Sequence, residues 1–183
     1  NVSGTLNVLE YCKQKKVKKM IYVSSYVYGR PEYCPINEDH SINPHNVYTE
    51  SKYLGERLCQ FYCKQSDLEL IILRPFNIFG ECMRKGFLIS NLAEAARTGK
   101  KITITNKQSK RDFLHIDDFV ELIFKIKDYD TKFDIFNVGC GESYSFEEIV
   151  RKIEKSSSKR LNVDYHEEEK SFIGDIRADI SKV

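Results

Sequence analysis

Apolar residues recur along the chain in two patterns, one at helical spacing and one in short continuous runs. Spacings of three and four residues are typical of an amphipathic helix, whereas an unbroken, β-branched run is typical of a buried parallel strand. In the first part of the chain these patterns predict a helix over 3–16, a strand over 19–24, a helix over 47–64 and a strand over 68–80. A loop that contains prolines separates the first strand from the second helix.

The two patterns keep alternating through the rest of the chain. They predict a helix over 87–99 that ends at Gly99, a strand over 101–105, a short strand leading into a helix over 111–127, a strand over 133–139 and a helix over 143–155. Ser145 and Glu148 have the spacing of a capping box at the start of the last helix. Strands that alternate with helices of this length predict an α/β fold built on a parallel sheet.

Composition and charge narrow the class of partner. The chain has 183 residues, of which 41% are hydrophobic, and this is enough to fill the core of one domain or of one domain with a small second one. Its 29 basic and 27 acidic residues give a net charge of +2, and the basic run at 13–19 is expected to be the solvated end of the first helix. The sequence therefore predicts neither a nucleic-acid partner nor, without a long apolar run, a membrane partner.

The cysteines indicate a reducing compartment. None of the six cysteines belongs to a Cys-x-x-Cys pair, and no secretory signal is recognisable, which predicts reduced thiols in a cytoplasmic protein. Cys59 and Cys63 lie one helical turn apart and are expected to be small buried apolar groups on one helix face. Since the histidines are scattered, the sequence predicts no metal site.

The candidate chemistry starts at "VYTESKYLGE", residues 47–56, which places Tyr48 and Lys52 four positions apart on a predicted helix. Residues i and i+4 share a helix face, so both side chains can enter the same cleft. A tyrosine is a poor base at neutral pH, but a neighbouring ammonium stabilises its phenolate form. Taken alone, the spacing is a weak signal and favours a half-buried tyrosine above a solvated lysine.

Further motifs follow the predicted strands. "VSSYVYG" (23–29) puts Ser24 at the carboxyl end of a strand, where open α/β sheets bind ligands, "RPFNIFG" (74–80) follows the next strand, and "RDFLHIDD" (111–118) adds an arginine. In this order, and together with "NVSGTLNVLE", "NVGCGESYSFEEI" and "GDIRADISK", the motifs resemble the extended short-chain dehydrogenase/reductase superfamily, specifically its NAD-dependent epimerase/dehydratase branch that acts on nucleotide sugars.

The resemblance implies an α/β fold that is the C-terminal part of a Rossmann-type doubly wound parallel sheet, with a small α/β substrate-binding subdomain. Residues 1–80 would be the remaining part of the NAD(P)-binding Rossmann domain. Residues 81–183 would be mostly the substrate-binding subdomain, and 112–140 would return a helix and a strand to the Rossmann sheet.

The resemblance also implies catalytic roles for Ser24, Tyr48 and Lys52. Tyr48 would exchange a proton with a sugar hydroxyl, Lys52 would hold the nicotinamide ribose, and Ser24 would donate a hydrogen bond to the reacting oxygen. The cofactor contacts would be Tyr48 and Lys52 together with Asn1 and Pro75. The expected cofactor is NAD, with NADP not excluded.

Four residues would bind a nucleotide-diphosphate sugar by the same resemblance: Ser25, Asn77, Arg111 and Asp175. Asn77 and Arg111 would contact the diphosphate, for which the forked guanidinium is well suited, and Asp175 would contact the ribose. Ser25 is a second candidate for the hydroxyl contact of the preceding serine. A different interpretation of Arg111 is a surface salt bridge to Asp112 or Asp117.

Two departures from the family pattern bear on the reaction and the substrate. Ser25 and Tyr26 stand where family members that eliminate water usually carry an acidic pair, and this disfavours a dehydratase. Phe172 stands where a basic residue often helps to hold the diphosphate, so that Lys170 or Arg177 would have to replace it.

No G-x-G-x-x-G or G-x-x-G-x-x-G motif occurs in the chain, although a dinucleotide-binding fold needs such a turn after its first strand. We therefore expect residue 1 to match a point inside the family pattern, after its first four strands, so that the chain is the later part of a longer protein. Strand 19–24 would then be an apolar edge, and the chain alone would bind NAD weakly.

The expected function is that of an NAD(P)-dependent nucleotide-sugar epimerase, which oxidises a sugar hydroxyl, inverts the centre and reduces it again. A nucleotide-sugar reductase or decarboxylase on the same scaffold, or a non-catalytic dinucleotide-binding protein, is the alternative. The resemblance further implies a homodimer through the helices at 3–16 and 47–64.

Overall fold

The computed structural model describes residues 1–169 and 174–183. The helices are α1 Val2–Lys15, α2 Val47–Gln65, α3 Leu88–Thr98, α4 Ile116–Ile126 and α5 Phe146–Ser157. The strands are β1 Lys19–Val23, β2 Glu69–Pro75, β3 Asn77–Phe79, β4 Ile102–Thr105, β5 Lys110–Arg111, β6 Phe113–His115, β7 Phe133–Val138, β8 Tyr144–Ser145, β9 Val163–His166 and β10 Asp175–Ile176.

The predicted helices are confirmed, with ends that shift by only a few residues. α3 ends at Gly99, whose backbone is left-handed, as expected of a glycine that terminates a helix. The capping box of α5 is also confirmed, because the Ser145 hydroxyl accepts from the Glu148 N–H and the Glu148 carboxylate accepts from the Ser145 N–H. Among the described residues, no helix is long and apolar enough to span a membrane.

The central sheet is parallel, with the strand order β1-β2-β7 in the described part of the chain. Its two faces carry different helices. On one face, side chains of α1 and α2, including Leu9, Cys59 and Cys63, pack on the sheet together with Leu70 and Ile72. This confirms the expectation that the two cysteines are buried on one helix face.

The opposite face of the sheet is covered by α4. Phe119 and Ile126 of that helix pack against Ile71 and Leu73 of β2 and against Phe136 of β7. A parallel sheet with helices on both faces buries both sides of each strand, which explains the continuous apolar runs in the sequence.

The prediction of one strand over 68–80 is wrong. β2 ends at Pro75, and the chain then leaves the central sheet at Phe76, whose N–H still donates to Val138. Residues Asn77–Phe79 form the separate strand β3, which pairs with β6. Because residues on both sides of the break are apolar, the hydrophobic pattern does not register it.

A second group of elements packs around its own core. α3 and α5 lie against the parallel pair β4 and β9, and their core contains Leu92, Ile104, Ile149 and Leu161. β5 pairs in parallel with β10 and antiparallel with β8. The sequence did not predict β8, β9 or β10. Since β10 and β5 are far apart in the chain, their pairing brings Asp175 and Ile176 beside Lys110 and Arg111.

Candidate active site

The carboxyl end of β1 carries Ser24. Its N–H donates to the Leu73 carbonyl over 2.7 Å, so the serine continues the ladder between β1 and β2 by one residue. The residue is 3% exposed, and its hydroxyl oxygen has no hydrogen-bond partner in the described part of the chain. Nearly all buried polar groups are hydrogen-bonded, so this hydroxyl is a group that a bound ligand could satisfy.

The direction of α2 brings its first turns to the same edge of the sheet. Near the C-terminus of the helix, the Cys63 thiol lies 3.4 Å from the Lys132 carbonyl, directly before β7 starts. In its middle, Glu56 binds Arg74 at the carboxyl end of β2. α2 therefore runs antiparallel to the strands, and its N-terminal turns lie at their carboxyl ends.

The start of α2 is fixed by a capping box that the sequence analysis missed. The Asn46 side chain accepts from the Thr49 N–H over 2.9 Å, and the Thr49 hydroxyl accepts from the Asn46 N–H over 3.3 Å. Tyr48 lies inside this capped turn and is 55% exposed. The signal in the sequence was an asparagine followed three positions later by a hydroxyl residue.

Lys52 lies one turn further along α2 and contacts β1. Its ammonium is 4.6 Å from the centre of the Tyr22 ring, and the Tyr22 phenol donates to the Lys52 carbonyl over 3.2 Å. Burial lowers the pKa of Lys52, while the neighbouring Cys59 and Glu56 act in the opposite direction. The ammonium is thus drawn onto the strand two residues before Ser24.

These contacts place the three predicted catalytic residues at one edge of the sheet. Tyr22 and Ser24 share a face of β1 because alternate residues of a strand point the same way. Burial raises the pKa of Tyr22, and Tyr48 adds a smaller contribution in the same direction. The catalytic roles of Ser24, Tyr48 and Lys52 stay a prediction.

The residues predicted to touch the cofactor meet at the same edge. Asn1, which precedes α1, donates from its side-chain amide to the Ser51 hydroxyl over 2.8 Å, and that hydroxyl donates to the Tyr48 carbonyl over 2.8 Å. Pro75 is buried at the end of β2. Asn1 therefore lies against the turn between Tyr48 and Lys52.

Arg111 and Asp175 form a second polar group with Tyr26. The pairing of β10 with β5 sets Asp175 beside the Lys110–Arg111 strand. Burial lowers the pKa of Arg111, whereas Tyr26 and Asp175 act in the opposite direction. Oδ1 of Asp175 and Nε of Arg177 are buried and have no hydrogen-bond partner among the described residues. This group of charged side chains could bind a polar ligand.

The salt-bridge interpretation of Arg111 is not supported. The Asp112 carboxylate accepts from the backbone N–H groups of Cys140, Gly141 and Ala178, and Asp117 lies 3.5 Å from His115. Arg111 instead donates to the Lys110 carbonyl, and its guanidinium is 5.3 Å from the centre of the Phe146 ring.

Two further substrate contacts were predicted. The Asn77 amide donates to the Asp112 carbonyl over 2.9 Å, so part of its hydrogen-bonding capacity serves the fold. Ser25 is partly buried directly after Ser24. Lys170 and Phe172, which bear on the diphosphate site, lie outside the described residues.

Sequence reasoning missed a buried polar network beneath the site. Arg74 donates two hydrogen bonds to the Glu56 carboxylate, of 3.0 and 2.7 Å, and a third of 2.9 Å to the Tyr28 phenol. The phenol in turn donates to the Asn137 side chain over 2.6 Å. All four residues are buried. Two signals of this network were present in the sequence: Arg74 interrupts an apolar strand, and Glu56 lies within an amphipathic helix.

In residues 1–169 and 174–183, no three His, Cys, Asp or Glu side chains are grouped so that they could hold an ion.

Comparison with known proteins gives the family. A sequence model of the NAD dependent epimerase/dehydratase family matches residues 1–139. The chain belongs to this family. The resemblance on which the site residues were predicted is thereby confirmed.

Two curated relatives align with the whole chain. A putative UDP-glucose 4-epimerase from Methanocaldococcus jannaschii is 29% identical over 188 residues, and UDP-glucuronic acid decarboxylase 1 from Danio rerio is 30% identical over 190 residues. The alignments cover 100% of this chain but only 61% and 45% of the two relatives. The chain therefore spans about half of the length of these family members.

A solved structure supports the same fold. The UDP-glucuronic acid 4-epimerase from Bacillus cereus, in complex with NAD, superimposes with a TM-score of 0.87 and 29% identity. The match covers 97% of this chain and 57% of that one. The predicted Rossmann-type α/β fold with a parallel sheet is confirmed.

Proposed function

We propose that the protein is an NAD-dependent nucleotide-sugar epimerase. The observation that carries the proposal is the buried Ser24 hydroxyl, which has no hydrogen-bond partner among the described residues and lies at the edge of the sheet where α2 presents Tyr48 and Lys52. Membership of the family supports it, and so do the relatives, which include a putative UDP-glucose 4-epimerase.

The residues at this edge fit the nicotinamide end of NAD. The Lys52 ammonium, half-buried beside β1, would bind ribose hydroxyls, and the further proposed contacts are Asn1, which binds Ser51 next to Lys52, and Pro75 at the end of β2. When bound, NAD would accept a hydride from the sugar carbon and later return it to the other face. NADP is not excluded by these residues.

The protein's own side chains would transfer the proton of the sugar hydroxyl. Tyr48 would take the proton of the sugar hydroxyl as the carbon is oxidised and return it as the carbon is reduced, with its phenolate stabilised by the Lys52 ammonium. The Ser24 hydroxyl would donate a hydrogen bond to the reacting oxygen. Since the proton and the electron pair both return, the net reaction is an isomerisation.

The substrate would be a nucleotide-diphosphate sugar. Arg111 and Asn77 are the proposed diphosphate contacts, and Oδ1 of Asp175, which has no partner in the described residues, is a proposed acceptor for a ribose hydroxyl. Ser25 is the second candidate for the contact to the sugar hydroxyl. We also propose that the nucleotide is UDP, which the names of the two relatives contain.

The environment of Tyr26 further disfavours a dehydratase. Its phenol donates to the Gly29 carbonyl over 2.8 Å, and burial raises its pKa well above the ordinary value. A phenol held in this way is a poor acid or base for eliminating water from a sugar.

The experiment is an assay of the full-length protein with a panel of UDP-sugars in the presence of NAD. An epimerase gives a mixture of stereoisomers by NMR, with no net change in NADH absorbance and no release of CO2. Net NADH turnover would identify a reductase, and release of CO2 would identify a decarboxylase, the second candidate that the 30% identity to the Danio rerio enzyme favours. Absence of all three products would support a non-catalytic dinucleotide-binding protein.

We further propose a homodimer in the cytoplasm. Apolar side chains of α1 and α2 are exposed, among them Leu6 and Tyr11 of α1 and Leu54 and Phe61 of α2. This supports an interface through residues 3–16 and 47–64, since exposed apolar side chains on neighbouring helices often mark an interaction site. All six cysteines are free thiols, which supports a reducing compartment.

A further inference from the structure

Tyr22 has an unusual set of contacts for a buried strand residue. Its ring lies under the Lys52 ammonium, with 4.6 Å between the nitrogen and the ring centre, and its phenol donates to the Lys52 carbonyl over 3.2 Å. The side chain also belongs to one core cluster with Leu9 of α1 and Cys59 of α2. One side chain of β1 therefore contacts both helices that cover this face of the sheet.

The close approach depends on Gly55. A Cβ atom at this position would lie 2.0 Å from the Tyr22 hydroxyl and 2.8 Å from the ring carbon that carries it. The glycine lets the phenol reach the backbone of α2 within one turn of Lys52. The tyrosine and the glycine together set the distance between the helix and β1.

We propose that Tyr22 is a positioning residue that holds the Lys52 ammonium at the carboxyl end of β1. The proposal rests on the proposed function, because Lys52 is there the contact to the nicotinamide ribose. The face of an aromatic ring attracts a cation, and the attraction is stronger when both are removed from water, as Tyr22 is here. The ring therefore fixes a long, flexible side chain that would otherwise sample many rotamers.

The test varies the ring electrostatics at nearly constant shape. Tyr22→Phe and a series of increasingly fluorinated phenylalanines at position 22 are introduced into the full-length protein, because fluorine withdraws charge from the ring face. We expect the affinity for NAD and the kcat to fall stepwise along the series, by about 2- to 30-fold in total, the range of a cation–π contact. The same series at Phe119, a core residue on the opposite face of the sheet, is the matched control and should give no trend.

A second readout requires neither NAD nor turnover. In the same variants, the pKa of Lys52 is measured by NMR from the chemical shift of its side-chain carbon. The other ionisable groups that act on Lys52 or Tyr22, namely Cys59, Glu56 and Tyr48, are left unchanged. A ring that stabilises the ammonium raises the pKa of Lys52, so weakening the ring should lower that pKa step by step.

The outcomes separate the two proposals. A wild-type protein that neither binds NAD nor isomerises UDP-sugars would overturn the proposed function, while the NMR trend would still judge the contact between Tyr22 and Lys52. A flat titration series, or a trend of equal size in the Phe119 controls, would overturn the role of Tyr22. Unchanged kcat and NAD affinity in an active enzyme would do so as well.

Discussion

At the scale of single residues, the exposed Tyr48 and the buried Arg74 put different demands on the fold. Tyr48 accepts from the Ser51 hydroxyl through its backbone carbonyl, and its exposed side chain can reach a ligand. Arg74 is buried, and its charge is compensated by the groups to which it donates hydrogen bonds. Burial alone would lower the pKa of Arg74, but its hydrogen bonds to Glu56 and Tyr28 raise it, so the guanidinium remains charged. Substitution should therefore affect chemistry at the first residue and stability at the second.

We predict that Tyr48→Phe removes most of the activity and leaves the fold intact. Loss of a general acid–base group typically lowers kcat by about 10²- to 10⁴-fold, whereas a surface substitution changes the free energy of unfolding by about 0.5 kcal/mol or less. Steady-state kinetics and urea unfolding of the full-length protein measure the two effects. Tyr11→Phe, an exposed tyrosine of α1, is the control. Wild-type kcat in Tyr48→Phe would exclude the phenol as the proton carrier.

We predict the reverse for Glu56→Gln. This change leaves the Arg74 charge buried opposite a neutral amide, and breaking a buried pair in this way typically lowers the free energy of unfolding by about 3–5 kcal/mol. Urea denaturation measures the loss. Glu50→Gln, at an exposed position of the same helix, should change stability by about 0.5 kcal/mol or less. Equal effects of the two variants would show that the pair is not a major support of α2.

The residues that the sequence could and could not predict differ in a physical way. Tyr48, Lys52 and Ser24 stand at fixed positions in local motifs, so the sequence alone was enough to select them as candidates. The roles of Tyr22, Glu56 and Arg74 depend on contacts between a strand and a helix that lie far apart in the chain. A single sequence does not show which residues of a strand and a distant helix come into contact.

At the scale of elements, the close contact between β1 and α2 makes Gly55 a structural requirement. Alanine in the interior of a helix is normally about 1 kcal/mol more favourable than glycine. At Gly55 the new Cβ would collide with the Tyr22 phenol, which is itself buried and cannot swing away. The preference for alanine should therefore be reversed at this position.

We predict that Gly55→Ala destabilises the protein, while Gly4→Ala, in α1, stabilises it by about 0.5–1 kcal/mol. Gly4 is the matched control because a Cβ there would meet nothing within 4 Å. Thermal and urea unfolding of both variants measure the difference. Stabilisation by both substitutions would mean that α2 can move away from β1 without loss.

Elements were predicted well where their period extends over several turns or where an apolar run is bounded by turns. The amphipathic helices α1, α2 and α5 satisfy this condition. The strand over 68–80 was predicted wrongly because apolar residues continue through the break at Phe76. β8 and β10 contain two residues each, too few to show any period, and exist only through their pairing with β5.

At the scale of the whole molecule, the two faces of the central sheet present different surfaces. α1 and α2 cover one face and α4 covers the other. Both layers carry a strongly exposed phenylalanine: Phe61 of α2 is 61% exposed and Phe124 of α4 is 65% exposed. Only the first lies on the surface that we propose as the dimer interface, and this offers a matched pair of substitutions.

We predict that Phe61→Glu converts the full-length protein from a dimer to a monomer and that Phe124→Glu does not. Burying one phenylalanine side chain contributes about 1.5–3 kcal/mol, and a twofold interface contains two copies, so the loss is about 3–6 kcal/mol. Because every 1.4 kcal/mol is a factor of ten, the dissociation constant should rise by about 10²- to 10⁴-fold, which sedimentation velocity over a range of concentrations can resolve. Since neither phenylalanine belongs to the proposed site, NAD affinity per chain serves as the test of folding in both variants. A dimer that survives Phe61→Glu and dissociates with Phe124→Glu would move the interface to the opposite face of the sheet.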